Sequence, residues 1–289
     1  MAFFPRGEKY LEIITTLKDL KAWVQTTKQQ GDSIGLVPTM GFLHEGHISL
    51  VDMAKAENAK VVMSIFVNPA QFGPNEDFDR YPRDLERDSK LAAAAGTDVI
   101  FAPSAEEMYP RESHIQLSAG PLANVLCGAK RPGHFDGVLK VVTKLFHLVQ
   151  PDRAYFGQKD AQQLAIIESL VEDFNFPLAI RRGETVREED GLAKSSRNVY
   201  LSETERQEAP HLRKALLLGE QAVLSNEDAV QSMTAYLERE VSGKIDYIEL
   251  LSYPDLDHNV QGLAILALAV QFEKARLIDN IIFPIEGKN

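Results

Sequence analysis

The chain has 289 residues, 31 Lys+Arg against 42 Asp+Glu, a formal charge of −11 and one cysteine. At this length folding buries roughly three-quarters of the unfolded surface, and the lone Cys127 excludes an internal disulfide or a multi-cysteine zinc site. The acidic balance argues against a general nucleic-acid binder. The longest apolar run, Leu263–Val270, is too short to span a bilayer, and no basic stretch followed by an apolar one opens the chain, so no membrane association and a cytoplasmic location are expected.

Ile34–Val37 is a short apolar run ended by Pro38 and reads as a buried strand. A turn with Gly41 and Gly46 follows, then a helical pattern from about His47 to Ala59. Val61–Val67 is a second continuous strand, closed by Asn68-Pro69. Leu85–Ala95 reads as a helix that stops at Gly96, and Asp98–Ala102 as a third strand. Val138–Val149 is helical, Arg153–Phe156 a fourth strand, Asp160–Phe174 a helix with an acidic start, and Leu178–Arg181 a fifth strand. Strands without alternation, separated by helices, imply a parallel sheet covered on both faces. The fold expected is α/β, a Rossmann-like doubly wound parallel sheet over residues 1–184. Ligands of such sheets sit beyond the carboxyl ends of the strands.

From Gly183 the pattern changes. Thr185–Tyr200 is polar and reads as a mobile connector or site loop. Helical patterns cover Glu203–Leu224 and Asp228–Val241, and strands are expected at Lys244–Leu251, Leu263–Phe272 and Ala275–Phe283. Residues 185–289 are therefore expected to form a smaller α+β C-terminal domain. Charge divides accordingly. Residues 200–289 hold 15 acidic and 8 basic residues, whereas residues 130–160 hold six cations against three acids. The basic middle allows a local site for a small anion.

Three strand-to-helix or loop motifs carry chemistry. The first, Met40-Gly41-Phe42-Leu43-His44-Glu45-Gly46-His47, places two histidines three residues apart where a helix begins. A helix N-terminus offers free N–H groups and partial positive charge, so these imidazoles suit phosphate oxygens and Gly46 a close backbone approach. A zinc protease motif needs i, i+4 spacing, and solvated histidines are the bland alternative. The second, Gly157-Gln158-Lys159-Asp160 with Gln163 one turn on, offers a close approach, a cation and a helix acid. The third, Lys194-Ser195-Ser196-Arg197, sets two hydroxyls between two cations, a natural phosphate clamp. It lacks the glycine before the lysine that a Walker A loop requires, and no G-x-G-x-x-G occurs. Asn68 and Gln71 past one strand, and Arg131 beside a Pro-Gly turn, are weaker candidates.

Together these residues resemble the pantothenate synthetase (pantoate–β-alanine ligase) family of the class I aminoacyl-tRNA synthetase-like nucleotidylyltransferase superfamily. Val37–His47, Phe66–Phe72, Tyr81–Arg83, Phe101–Tyr109, Arg131–Val138, Gln150–Gln163 and Thr185–Leu201 match in family order. The resemblance implies ATP-dependent ligation of pantoate and β-alanine to pantothenate through pantoyl adenylate, releasing pyrophosphate and AMP. It implies His44, His47 and Lys159 as catalytic residues. Met40, Gly41, His44, Gly46, His47, Gly157, Gln158, Lys159, Asp160, Val186, Lys194, Ser195, Ser196 and Arg197 are implied as ATP contacts, and Gln71, Gln163, Asn68 and Arg131 as substrate contacts. Mg²⁺ is implied to arrive with ATP, with Asp88 as a candidate metal contact. A homodimer is implied, and residues 185–289 as a lid closing over the adenylate. Gln158 stands where the family commonly has glutamate and Lys194 where it has Met or Leu; both departures are expected to be tolerated. The alternatives are a nucleotidylyltransferase that stops at a nucleotide-activated small molecule, and an ATP-binding protein without turnover.

Overall fold

The computed structural model describes residues 11–74 and 76–285. Its chain groups into two compact units. One comprises residues up to 118, 136–157 and 170–183; the other comprises 119–135, 158–169 and the residues from 184 on. The second unit thus draws two segments from before residue 184 as well as the C-terminal part.

The first unit holds a six-stranded, wholly parallel sheet of β1 (Glu12–Ile14), β2 (Ile34–Thr39), β3 (Lys60–Ile65), β4 (Val99–Phe101), β5 (Arg153–Gly157) and β6 (Ala179–Gly183), in the order β1-β4-β3-β2-β5-β6. Five of these strands are the apolar runs of the sequence. β2 to β5 are buried along most of their length, as a parallel sheet covered by helices demands, whereas the edge strand β6 is buried only at Gly183. The chain progresses outward from β2 through β3 to β4, then returns to the other side of β2 with β5. The order therefore reverses between β2 and β5, the position where open α/β sheets form a ligand crevice.

Helices within this unit that follow or connect its strands include α1 (Leu17–Gln29), α2 (Glu45–Glu57), α3 (Leu85–Ala94) and α4 (Ala105–Met108). The core is built from β2 to β5 and the inner faces of α2 and α3. Val37, Leu43, Val51, Ala54, Val61, Met63, Ala92, Ile100 and Tyr155 are fully buried there. Three findings depart from the sequence reading. β1 and α1 occupy a stretch to which no element was assigned. α2 begins at Glu45, two residues before the pattern, because His44 serves as its N-cap. The sheet gains β1 by edge pairing with β4, Ile13 opposite Ile100.

α5 (Leu126–Lys130) falls in the second unit, and α6 (His134–Val149) and α7 (Ala161–Asp173) are the helices on either side of β5. The remainder of the second unit holds α8 (Glu203–Glu208), α9 (His211–Leu224), α10 (Ala229–Glu240) and an antiparallel sheet of β7 (Lys244–Ser252), β8 (Gly262–Gln271) and β9 (Arg276–Ile285) in sequence order. This is the expected small α+β arrangement. Its core packs Leu212, Ala215 and Leu216 of α9 and Met233 and Leu237 of α10 with Leu266, Leu268 and Val270 of β8. The single helix expected over Glu203–Leu224 is two helices. Pro210 lies at the join, where it takes the N-cap position of α9 and cannot donate a backbone hydrogen bond.

Residues 186–194, within the stretch read as a mobile connector or site loop, form a tight hairpin. The Glu188 N–H donates to the Leu192 carbonyl at 2.8 Å, the Lys194 N–H to the Val186 carbonyl at 2.9 Å, and Gly191 turns the chain at φ +93°. Arg187 anchors it through a two-pronged ion pair to the buried Asp279 of β9, at 2.7 and 2.9 Å.

Candidate active site

In the first unit the site is the turn that leaves β2. Thr39 Oγ1 donates to the Ser64 carbonyl at 2.7 Å and accepts the Gly41 N–H at 3.2 Å. Gly41 (φ +85°) and Phe42 (φ +51°) are both left-handed. Glycine adopts that conformation without penalty, whereas phenylalanine must be held in it. The holding group is Asp88 of α3, whose Oδ2 accepts the Phe42 N–H at 2.7 Å and whose Oδ1 accepts the Leu43 N–H at 2.8 Å. Asp88 is 1% exposed, and burial raises its pKa against the pull of these two N–H groups and of Arg87. Both oxygens of this candidate metal ligand are thus engaged by backbone. Its place in the structure is that of a turn brace, a role that sequence spacing does not reveal.

His44 and His47 then cap α2 reciprocally. His44 Nδ1 accepts the Gly46 N–H at 3.2 Å, and His47 Nδ1 accepts the His44 N–H at 3.2 Å. This is a capping box written in imidazoles instead of Ser and Glu. Their rings lie tilted by 38° with centroids 4.0 Å apart. A ring nitrogen that accepts a hydrogen bond carries a lone pair, so each neutral ring holds its proton on Nε2. The backbone therefore fixes both the tautomer and the orientation of two N–H donors at a helix N-terminus, where the local potential is positive.

Gln71 lies on a 3-10 turn after β3 and is 8% exposed. Its Nε2 donates to Met40 Sδ at 3.3 Å, and its Oε1 accepts from Asn68 Nδ2 at 3.1 Å. Asn68 is the hub of this loop. It caps the turn by accepting the Ala70 N–H, donates to the Gly137 carbonyl at 3.0 Å, and accepts the Tyr109 hydroxyl at 2.8 Å. Burial pushes the Tyr109 phenol up from its ordinary value. A side chain at Gly137 would collide with the Ala70 carbonyl, so α6 approaches this loop only because residue 137 is glycine. Met40, Gly41, His44, His47, Asn68, Gln71 and Asp88 are thus one connected constellation. Met40, Gly41 and Asp88 also line a cavity of about 330 Å³ with Phe66, Arg83 and Pro103.

The second unit holds the other motifs. Gln158–Asp160 is a 3-10 turn, and Asn280 of β9 donates to the carbonyls of Gln158 and Lys159 at 3.0 and 2.9 Å. Lys159 Nζ stands 3.7 Å from Asp160. Gln162 is buried and donates to the Leu122 and Val125 carbonyls at 2.8 Å each, which fixes the start of α7 where half-buried Gln163 follows. Lys194 pairs with Glu188 at 3.0 Å, and Ser195 caps a 3-10 turn by accepting the Arg197 N–H. Lys159 and Ser195 line one small cavity with Ala193, Asn198 and Asp279. The structure thus brings Lys159 and the Lys194–Arg197 loop together within this unit. Arg131 sits at the end of α5, 3.0 Å from His134 Nε2.

The residues that sequence reasoning missed are the supports: Tyr109, Gly137, Asp279 and Asn280. None was assigned a role from its local sequence, and each acts across a large sequence separation. Tyr109 and Gly137 fall inside matching stretches of the family, a signal that marked the segments without the role.

A parallel sheet whose switch point adjoins a histidine-capped helix, with a second unit presenting a Lys-Ser-Ser-Arg loop, defines a nucleotide-binding transferase or ligase of the α/β class. Residues 12–282 match the family model for pantoate–β-alanine ligase. The pantothenate synthetase of Lysinibacillus sphaericus is 57% identical over 281 residues, covering 96% of this chain and 99% of that protein. That of Bacillus pumilus is 54% identical, covering 94% and 96%. The crystal structure of pantothenate synthetase from Thermus thermophilus superposes with a TM-score of 0.87 at 45% identity, covering 93% of this chain and 98% of that one. The pantoate–β-alanine ligase of Francisella tularensis, complexed with beta-gamma ATP and β-alanine, superposes with a TM-score of 0.80 at 35% identity, covering 94% and 98%. The chain belongs to the pantoate–β-alanine ligase family. Its reaction is the ATP-dependent ligation of pantoate and β-alanine, and a transferase that stops at a nucleotide-activated product is not favoured.

Proposed function

We propose that the ligation runs in two steps. A pantoate carboxylate oxygen attacks the α-phosphorus of ATP, and the bond to the pyrophosphate oxygen breaks. The β-alanine amine then attacks the acyl carbon of pantoyl adenylate, loses a proton, and AMP leaves. Adenylation is required because a carboxylate is a poor acylating agent; phosphoryl chemistry asks the protein chiefly for positioning and charge stabilisation. His44 and His47 donate from Nε2–H to phosphate oxygens as charge builds, and Lys159 supplies a fixed cation. Gly46 and Met40–Gly41, with Gly157–Asp160, Val186 and Lys194–Arg197, bind ATP. Gln71 and Gln163 hold pantoate, supported by Asn68; Arg131 contributes to substrate binding. Amides suit a hydroxyl and a carboxylate without adding a competing charge.

Mg²⁺, where it arrives with ATP, would supply charge that offsets the phosphates. Among the described residues no group of three or more His, Cys, Asp or Glu stands together to cage a cation, and the Asp88 oxygens serve the turn backbone. Among the described residues no helix is long and apolar enough to cross a membrane. A cytoplasmic homodimer is the form proposed, on family likeness.

The observation that supports these roles best is the reciprocal capping of His44 and His47, which fixes two ring donors at a helix N-terminus. The test is an omission assay. Pyrophosphate exchange into ATP should require pantoate and Mg²⁺ but not β-alanine, and AMP release should require all four components. AMP release without an amine would refute the second step, and exchange without pantoate would refute the first.

A further inference from the structure

The strained turn ahead of His44 is built by two neighbouring residues of α3. Asp88 accepts the N–H groups of Phe42 and Leu43, one on each oxygen, at 2.7 and 2.8 Å. Arg87 closes the other side: its Nη2 donates to the Leu43 carbonyl at 2.9 Å and its guanidinium lies 5.0 Å from the centre of the Phe42 ring. Arg87 Nη1 also meets Asp88 Oδ1 at 3.3 Å. Residues 42 and 43 are thus gripped at both N–H groups, one carbonyl and one side chain. The next residue is His44, whose own N–H positions the His47 ring.

The fit has no slack. A side chain on Gly41 would stand 3.0 Å from Asp88 Oδ2 and 3.0 Å from Ile65 Cγ2, with φ already at +85°. Phe42, at φ +51°, has a conformation that local sequence disfavours and only these contacts enforce. A buried carboxylate is costly to desolvate. Asp88, at 1% exposure, meets that penalty with two backbone N–H groups of this turn and one neighbouring guanidinium.

We propose that Asp88, with Arg87, is the positioning residue of this active site, holding the left-handed Gly41–Phe42 turn so that the His44–His47 pair meets the phosphates in fixed register. The role is exerted through the backbone and involves neither metal nor substrate contact. The inference rests on the catalytic role proposed for the two histidines, and the experiment separates the two.

The test uses the full-length chain with Asp88→Asn, which keeps the shape but replaces one acceptor oxygen with an N–H donor facing a backbone N–H. Arg87→Met is the second variant; the Arg87 side chain is 44% exposed, so its loss spares the fold. Each is assayed for pantoate-dependent pyrophosphate exchange, for the KM of β-alanine, and for the ¹⁵N signals of His44 and His47 Nδ1, assigned with single histidine variants. Asp88→Asn should lower the exchange kcat by about 10²-fold, the scale of a small misplacement of reacting groups. The β-alanine KM should stay within about twofold, and both Nδ1 signals should shift as their backbone hydrogen bonds loosen. Arg87→Met should move the same readouts in the same direction, with a kcat loss of about tenfold. Unchanged histidine signals in a folded Asp88→Asn protein would overturn the proposal, as would recovery of kcat on raising Mg²⁺, which marks a metal ligand. If Asp88→Asn does not fold, wild-type behaviour of Arg87→Met overturns it. If the wild-type chain shows no pantoate-dependent exchange, the catalytic reading fails while the histidine signals still decide the positioning role.

Discussion

Replacing His47 with alanine removes two different things, and their magnitudes are separable. The ring accepts the His44 N–H at 3.2 Å, so its loss leaves one N-terminal donor of α2 without that partner. Capping losses of this kind are about 1 kcal/mol, which for a chain of this size lowers Tm by roughly 3 °C. The same ring is proposed to supply an Nε2–H donor to the phosphates, and a preorganised donor to developing charge is worth about 3 kcal/mol. At 25 °C that is a loss of about 10²-fold in the rate of adenylation. His47→Gln divides the two effects, because glutamine is an ordinary N3 partner in a capping box. Its Tm should return to near wild type while its adenylation rate stays at least about tenfold down, since the amide does not reproduce the position of the imidazole N–H. The assay is pantoate-dependent pyrophosphate exchange alongside thermal melting. A His47→Ala protein that melts within a few degrees of wild type and exchanges within about threefold of its rate would refute the catalytic assignment.

Three other perturbations test separate parts of the structure. Lys159→Ala should raise the KM for ATP and lower kcat while leaving the KM for β-alanine within about twofold; unchanged ATP kinetics would remove Lys159 from the site. Gly137→Ala forces a methyl group against the Ala70 carbonyl, so the Asn68–Gln71 loop must shift. Stability should fall by about 1–3 kcal/mol and the pantoate KM should rise, with denaturant melts and pantoate titrations as the checks. Glu205 accepts the Ser202 and Glu273 N–H groups at 2.8 Å each, which holds its pKa below the ordinary value. A depressed carboxylate contributes stability that is present above its unfolded pKa and lost as pH falls through the lower folded value. Glu205→Gln should therefore cost about 1 kcal/mol at pH 7 and almost nothing well below the folded pKa. A stability difference that stays constant between pH 7 and pH 2 would contradict the assigned hydrogen bonds.

The sheet was legible because parallel strands buried on both faces must be continuous apolar runs, and Ile34–Val37, Val61–Val67 and Asp98–Ala102 are that. The edge strand β1 was not, since Glu12 and Ile13 are exposed and a three-residue strand leaves no periodicity to read. The start of α2 was misplaced by two residues for a chemical reason. Capping signals are sought in Ser, Thr, Asp and Asn, and here imidazole nitrogens do that work. The break in the α8–α9 stretch was marked in the sequence by Pro210, yet the apolar spacing on either side reads through it. The hairpin at 186–194 was unreadable because its ends are tied by an ion pair from Arg187 to Asp279, 92 residues away.

The same division runs through the site. The residues proposed to meet small molecules lie in short motifs at strand ends, where topology puts them, and so His44, His47, Gln71 and Lys159 could be named in advance. Residues that hold those motifs in shape have no such constraint. Asp88 needed only to be an acid one face away on a neighbouring helix, Asn280 an amide on a distant strand, and Gly137 a residue without a side chain. Their chemistry is generic, so the sequence marks them no differently from a solvated acid or a loop amide. What distinguishes them is burial joined to complete hydrogen bonding. A carboxylate at 1% exposure with two short N–H contacts is tied to the backbone it grips. That backbone is left-handed at a phenylalanine and leads directly into the histidine pair. The burial and hydrogen bonding of Asp88, which pattern reading does not show, are therefore what support the positioning role proposed for it.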